Sequence, residues 1–160
     1  MGRRHEGREA AVQFLVYCDL NRGSGPDEGA AEFWALRSPA PKKAREFAIE
    51  LARGALERLA EIDVRITAYA QNYELHRLAA VDRNILRLAL YEMFFRDDIP
   101  PVVSINEAIE IAKKYGTDES GRFVNGILDR AKLDLDRPLR TARPAAAAVA
   151  NVECGTPEAG

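Results

Sequence analysis

A chain of 160 residues, 47% hydrophobic and 30% charged, has enough apolar content to build one core and too much to stay disordered. Its formal net charge of -2 excludes a global basic field, so any nucleic-acid site must be a local patch on a balanced surface. Cys18 and Cys154 lie far apart and belong to no CxxC or Cys/His grouping, which predicts unpaired thiols in a reducing cytoplasm.

The N-terminal MGRRHEGREA has charge but no uninterrupted apolar core, so no secretory signal is expected. Arg3, Arg4 and Arg8 cluster there ahead of an amphipathic segment. That arrangement suits a flexible arm that tracks phosphates, although a solvated terminus would look the same and Glu6 and Glu9 dilute the field. From about Glu6 to Leu20, Ala11, Phe14, Leu15 and Cys18 recur at helical spacing and predict a first helix. The turn formers of NRGSGPDEG end it. A short helix around AAEFWALR follows, anchored by Phe33, Trp34 and Leu36, before SPAP breaks the chain.

From Lys42, a regular pattern through Ala44, Phe47, Ala48, Leu51, Ala55, Leu59, Ile62 and Ile66 predicts one unusually long helix or two nearly collinear ones. The period falters around QNYELHRL and resumes through Val81, Ile85, Leu88, Ala89 and Phe95, until DDIPP stops it. The longest apolar runs, such as ILRLALYEMFF, are interrupted by charge and too short to span a bilayer. In SINEAIEIAKKYG, Ser104 and Glu107 have the spacing of a capping box, and Ile105, Ala108, Ile109 and Ala112 form an apolar stripe. Lys113 and Lys114 suit the negative end of the helix dipole, and Gly116 is placed to supply a left-handed terminal residue. Lys113, Lys114 and Tyr115 also set two cations beside an aromatic that can stack on a base, though dipole complementation and a core tyrosine explain them equally well.

TDES then offers caps for a further helix. In RFVNGILDRA, Arg122 to Ala131, the Asn-Gly pair between apolar doublets is a hairpin signal. The spacing by four of Phe123 with Ile127, Val124 with Leu128, and Ile127 with Ala131 predicts a helix instead. A glycine inside that helix costs about 1 kcal/mol relative to alanine. Gly126 is therefore expected where another backbone or a ligand comes close. After Leu139 the text turns to alanine and proline without an amphipathic period, which predicts a single domain at 1–139 and a mobile tail at 140–160.

The pattern holds little chemistry. His5 and His76 join no metal-ligand spacing, and GxxxxGK[ST], GxGxxG and GxSxG are absent. Glu107 with Glu110 and Asp118 with Glu119 are read as caps and solvated faces rather than carboxylate dyads. No metal, cofactor or enzymatic activity is expected.

VDRNILRLALYEMFFRDDIPPVVSINEAIEIAKKYGTDESGRFVNGILD, Val81 to Asp129, resembles the C-terminal half of the NusB transcription antitermination factors. GREAAVQFLVY resembles the family's N-terminal R-E-x-A-x-Q-x-L plus aromatic, except that Val16 stands where the aromatic is usual and Tyr17 follows it. The resemblance implies an all-α, NusB-like bundle of about seven helices in two subbundles. It also implies binding of boxA RNA in nascent transcripts together with the ribosomal protein NusE. The pair would support RNA polymerase in an antitermination complex, chiefly in ribosomal RNA operons. Relatives are monomers and dimers, so a homodimer stays open.

Carried over by position, the resemblance places Arg3, Arg4 and Arg8 on an RNA-contacting arm and Gln13 on the helix behind it. Arg87, Tyr115, Glu119 and Phe123 fall on the RNA face, with Lys113 and Lys114 beside them. Asp82 falls on a carboxylate of the NusE contact, with Tyr73 and Glu74 nearby in sequence. Arg87 can instead pair with a carboxylate inside the bundle, and Phe123 can be core. The alternative function is a helical protein-interaction module in ribosome assembly without specific RNA binding.

Overall fold

Apolar residues repeating every three or four positions are buried along one side of each long helix, and one helix is buried almost all round. The computed structural model describes residues 2–21, 30–37 and 41–142. Within them run α1 (Arg3–Leu20), α2 (Ala30–Arg37), α3 (Lys42–Glu57), α4 (Leu59–Tyr69), α5 (Ala80–Phe95), α6 (Pro101–Tyr115) and α7 (Ser120–Ala131). Short 3-10 turns lie at Leu75–Arg77 and Lys132–Asp134. The turn-forming stretch at 22–29, the break at 38–40, Cys154 and the alanine-rich segment from 143 onward lie outside the described residues.

Helix α5 is the hub. Every residue from Arg83 to Leu90 is buried, and the helix packs against α1, α3, α4, α6 and α7. One group of helices is α1 with α3, onto which α2 is laid through the aromatic cluster of Phe14, Tyr17, Phe33 and Trp34. The other group is α4, α6 and α7 around α5. Near its start α1 meets Ala44 and Ala48 at Gly7, and farther on Leu15 and Cys18 share a cavity with Leu56 and Leu59. The two helices therefore run in the same direction, with their N-termini at one end.

Local details depart from sequence expectation for tertiary reasons. Of the two readings of the long periodic stretch, one helix or two, the structure has two, parted at Arg58 (φ -108°, ψ 16°). Pro100 and Pro101 do more than stop α5. They are the N-cap and first residue of α6, where a missing N–H costs nothing. Ser104 accordingly lies inside α6 and is no cap: it is 2% exposed and its hydroxyl donates to Glu92 at 2.8 Å. Gly116 ends α6 in an extended conformation (φ -94°, ψ -161°), not a left-handed one. A side chain there would meet the Ser120 hydroxyl, so space, and not the backbone angle, selects glycine.

RFVNGILDRA is helical as its spacing predicts, but Gly126 is not a close approach: a Cβ there would meet nothing within 4 Å. The tight crossings are at Gly7, where a Cβ would lie 2.9 Å from the Ala44 carbonyl oxygen, and at Gly54, which faces Tyr91. Beyond α7, Arg137 donates to the carbonyls of Glu92, Met93, Arg96, Asp97 and Ile99. A buried cation thus closes the negative end of α5. The Leu139 carbonyl accepts the Val102 N–H at 2.9 Å, tying this segment to α6.

Candidate functional site

Two clefts adjoin at the first turn of α5. Tyr73, in the connection after α4, is 57% exposed and meets Phe123 of α7 edge to face, with centroids 5.4 Å apart. These rings, with Arg77, Asp82, Glu119 and Arg122, line an open cleft of about 450 Å³. Asp82 occupies the first turn of α5, where a carboxylate is favoured by the dipole. Its Oδ1 is buried and has no hydrogen-bond partner among the described residues. An unsatisfied buried acceptor is costly unless a donor arrives from outside. The α6–α7 loop forming one wall is held by the Thr117 N–H, which donates to the Ser120 hydroxyl at 2.9 Å. Glu74 stays on the exposed rim, paired with His76 and Arg77 at 3.4 and 3.2 Å.

A second cleft, about 460 Å³, is lined by Val81 of the same turn with Gln13, Val16, Tyr17, Phe33 and Tyr115. Val16 and Tyr17 both border it, so the one-place shift of the aromatic leaves Tyr17 at the same cleft. Tyr115 is held by its hydroxyl, which donates to Glu9 at 2.8 Å. Lys114 donates to the same carboxylate at 3.0 and 3.1 Å, and His5 bridges Glu9 and Glu107 at 2.7 and 2.8 Å. Burial pushes the Glu9 carboxyl up, but the Tyr115 and Lys114 hydrogen bonds and the nearby positive charges outweigh it and hold it below the usual carboxylate range. Burial, then the Glu9 contact, pushes the Tyr115 phenol up. Lys113 is exposed, with its stem against the start of α7 at Gly121.

The structure divides the arginines expected at this surface. The N-terminal segment is no flexible arm, because α1 begins at Arg3. Arg3 and Arg4 are exposed there, Arg4 with its guanidinium 4.8 Å from the Phe47 ring centroid. Arg8 is 3% exposed, and its Nε and Nη2 donate to Glu92 at 2.9 to 3.1 Å. Arg87 is 7% exposed and grips Asp63 through Nε and Nη2 at 2.8 and 2.9 Å. It also lies 3.3 Å from Asp19, which Arg83 and Asn84 bind as well. Burial pushes the Asp19 carboxyl up, yet these hydrogen bonds and charges hold it below its usual range. Neither Arg8 nor Arg87 presents a free cation, because each neutralises a carboxylate within the bundle.

Glu119 and Phe123 likewise sit with Tyr73 and Asp82, in a different cleft from Gln13 and Tyr115. Sequence reasoning missed the partner carboxylates Asp19, Asp63, Glu92 and Glu107. A sign of them was present: Arg87 and Glu92 interrupt an otherwise apolar run, and a charge at a core position requires a partner. No helix among the described residues is long and apolar enough to cross a membrane.

Comparison with known proteins puts this geometry in context. The sequence profile of the NusB family matches residues 5–132. A protein called transcription antitermination protein NusB from Methylacidiphilum infernorum is 46% identical over 134 residues, 84% of this chain and 93% of the relative. Its namesake from Desulfatibacillum aliphaticivorans is 44% identical over 137 residues, 86% of this chain and 94% of the relative. The solved structure of T. maritima NusB superposes with a TM-score of 0.75 at 44% identity, covering 86% of this chain and 94% of that one. A crystal structure of the antitermination factors NusB and NusE in complex with double-stranded RNA contains a chain 32% identical, with a TM-score of 0.72, covering 81% of this chain and 96% of that one.

Proposed function

This chain belongs to the NusB family, and on that premise we propose that it is a transcription antitermination factor that binds boxA RNA jointly with NusE. In this role it joins the RNA polymerase antitermination complex and supports read-through of ribosomal RNA operons by assembly, without catalysis. The observation that carries the reading is the pair of clefts meeting at Val81 and Asp82. One presents the exposed Tyr73 against the half-buried Phe123, a basic rim and a buried acceptor that no donor among the described residues meets; the other presents Gln13 and an anchored Tyr115.

The division of labour follows from what each cleft offers. Tyr73, Glu74 and Asp82 receive NusE, a donor of which satisfies Asp82 Oδ1. Gln13, Tyr115 and the exposed cations Arg3, Arg4, Lys113 and Lys114 receive RNA, with Tyr115 offering a stacking face. Glu119 and Phe123 stand where the two ligands meet. Each surface alone is small, and the joined ligand binds more tightly because the second contact is made at high effective concentration.

Titration of labelled boxA RNA and of a scrambled RNA, each with and without NusE, tests the proposal. Weak boxA binding strengthened by NusE, with no strengthening on scrambled RNA, is expected. Equal weak binding in all four arms contradicts it, and retained NusE binding in that case favours a protein-interaction module instead.

A further inference from the structure

The parallel packing of α1 and α3 creates a second feature, at the end of the molecule where both helices begin. Gly7 on Ala44 and Ala48 sets the two first turns side by side. The α3 turn carries Lys42, Lys43 and Arg45, and the α1 turn carries Arg3 and Arg4. All five side chains are exposed, and none has an ion-pair partner among the described residues. This contrasts with Arg8, Arg58, Arg77, Arg83, Arg87, Arg96 and Lys114, each of which is matched to a carboxylate.

The location compounds the charge. Cations at a helix N-terminus oppose the dipole, and two parallel helices bring two positive ends together. Neither Gly2 nor Pro41, the N-cap residues, makes a side-chain capping hydrogen bond, and the first turn of α3 contains no acidic residue. Glu6 in the first turn of α1, Glu46 just beyond the first turn of α3 and Asp98, on which Arg4 acts, are the acids nearby, so five cations outnumber them in a chain whose formal net charge is -2. A concentration of exposed positive charge without carboxylate ion-pair partners among the described residues fits a polyanion as its counterpart.

Resting on the RNA-binding reading above, we infer that the joined starts of α1 and α3 are a phosphate-binding surface. There Lys42, Lys43 and Arg45 take the sugar-phosphate backbone of single-stranded RNA beyond the nucleotides held at Gln13 and Tyr115. The surface lies on the same helix as Gln13, two to three turns earlier, where Arg3 and Arg4 begin α1. It carries no base-reading group, because lysine and arginine on phosphates hold position and not sequence. Arg4 over Phe47 on α3 joins the two contributions into one surface.

The test is a titration of labelled boxA RNA with its natural flanking nucleotides, in the presence of NusE, at several salt concentrations. For the K42Q/K43Q/R45Q variant, affinity is expected to fall about tenfold or more and the slope of log K on log salt to become shallower by about two, at roughly 0.7 per lost phosphate contact on a single strand. Lys43→Gln alone should flatten the slope by about 0.7. Arg53→Gln, which removes an exposed cation farther along α3, should leave it unchanged. Preference for boxA over scrambled RNA is expected to persist in every variant. Wild-type-like slopes in the triple and single variants would overturn the inference while leaving the RNA-binding reading intact. A wild-type protein that binds neither RNA would overturn both.

Discussion

At the residue scale, the arginines separate into those that hold the fold and those that face outward. Arg8 illustrates why sequence position does not decide between them. It stands in a basic cluster with Arg3 and Arg4, yet it sits one turn farther along α1 and is turned onto Glu92, itself 1% exposed. Breaking a buried pair by removing one partner leaves an uncompensated charge and costs about 3–5 kcal/mol. Arg8→Ala is therefore expected to lower the melting temperature steeply, as thermal unfolding would show. An unchanged melting temperature would return Arg8 to the outward-facing group. That Arg87 needs a partner was legible from a charge placed in an apolar run; that Arg8 needs one was not, because it stands among other charges and its partner Glu92 lies 84 residues away in the chain.

At the element scale, helical periodicity was readable along the chain, since burial of one stripe is what makes a helix stable in a globule. The boundaries were harder. Ser104 and Glu107 match a local capping pattern, but Ser104 is used by Glu92 and Glu107 by His5 and Arg8. Tertiary partners thus claimed both residues. The glycines show the same limit, because a sequence announces a glycine without saying what lies opposite it. Gly126→Ala should stabilise the protein by about 0.5–1 kcal/mol, since α7 gains helix propensity and the added methyl meets open space. Gly7→Ala should destabilise it by about 1–3 kcal/mol, because the methyl presses on the Ala44 backbone carbonyl. Chemical denaturation of the two variants checks the pair, and the same sign of change in both would contradict the packing described.

At the scale of the whole molecule, buried ion pairs stitch the helix groups together. Asp19 on α1 binds Arg83 and Asn84 and approaches Arg87, which in turn binds Asp63 on α4. Because the folded state holds the Asp19 carboxyl below its unfolded range near 4, its contribution is present above about pH 4 and is lost as the pH falls through the folded value. Asp19→Asn should therefore be less stable than the natural chain at neutral pH, with the gap closing on acidification. Melting temperatures of both proteins across pH check this, and a gap independent of pH would contradict it.

The helix count and the two-group architecture were legible through resemblance to the NusB family. The parallel alignment of α1 and α3, which brings five cations to one end, depends on contacts between distant segments that no local pattern records. The division of these residues between two clefts was hidden for the same reason. Tyr73, Asp82, Glu119 and Phe123 come from three separate segments and meet only in the folded chain.

If, as proposed, the cleft around Asp82 couples NusE to RNA, the coupling is read from the ratio of boxA affinities with and without NusE, measured for the natural chain and for Asp82→Ala. A ratio of about ten or more is expected for the natural chain, equivalent to about 1.4 kcal/mol of coupling. Asp82→Ala should bring the ratio close to one while leaving affinity for RNA alone unchanged. A ratio that survives the substitution would show that Asp82 does not carry the coupling.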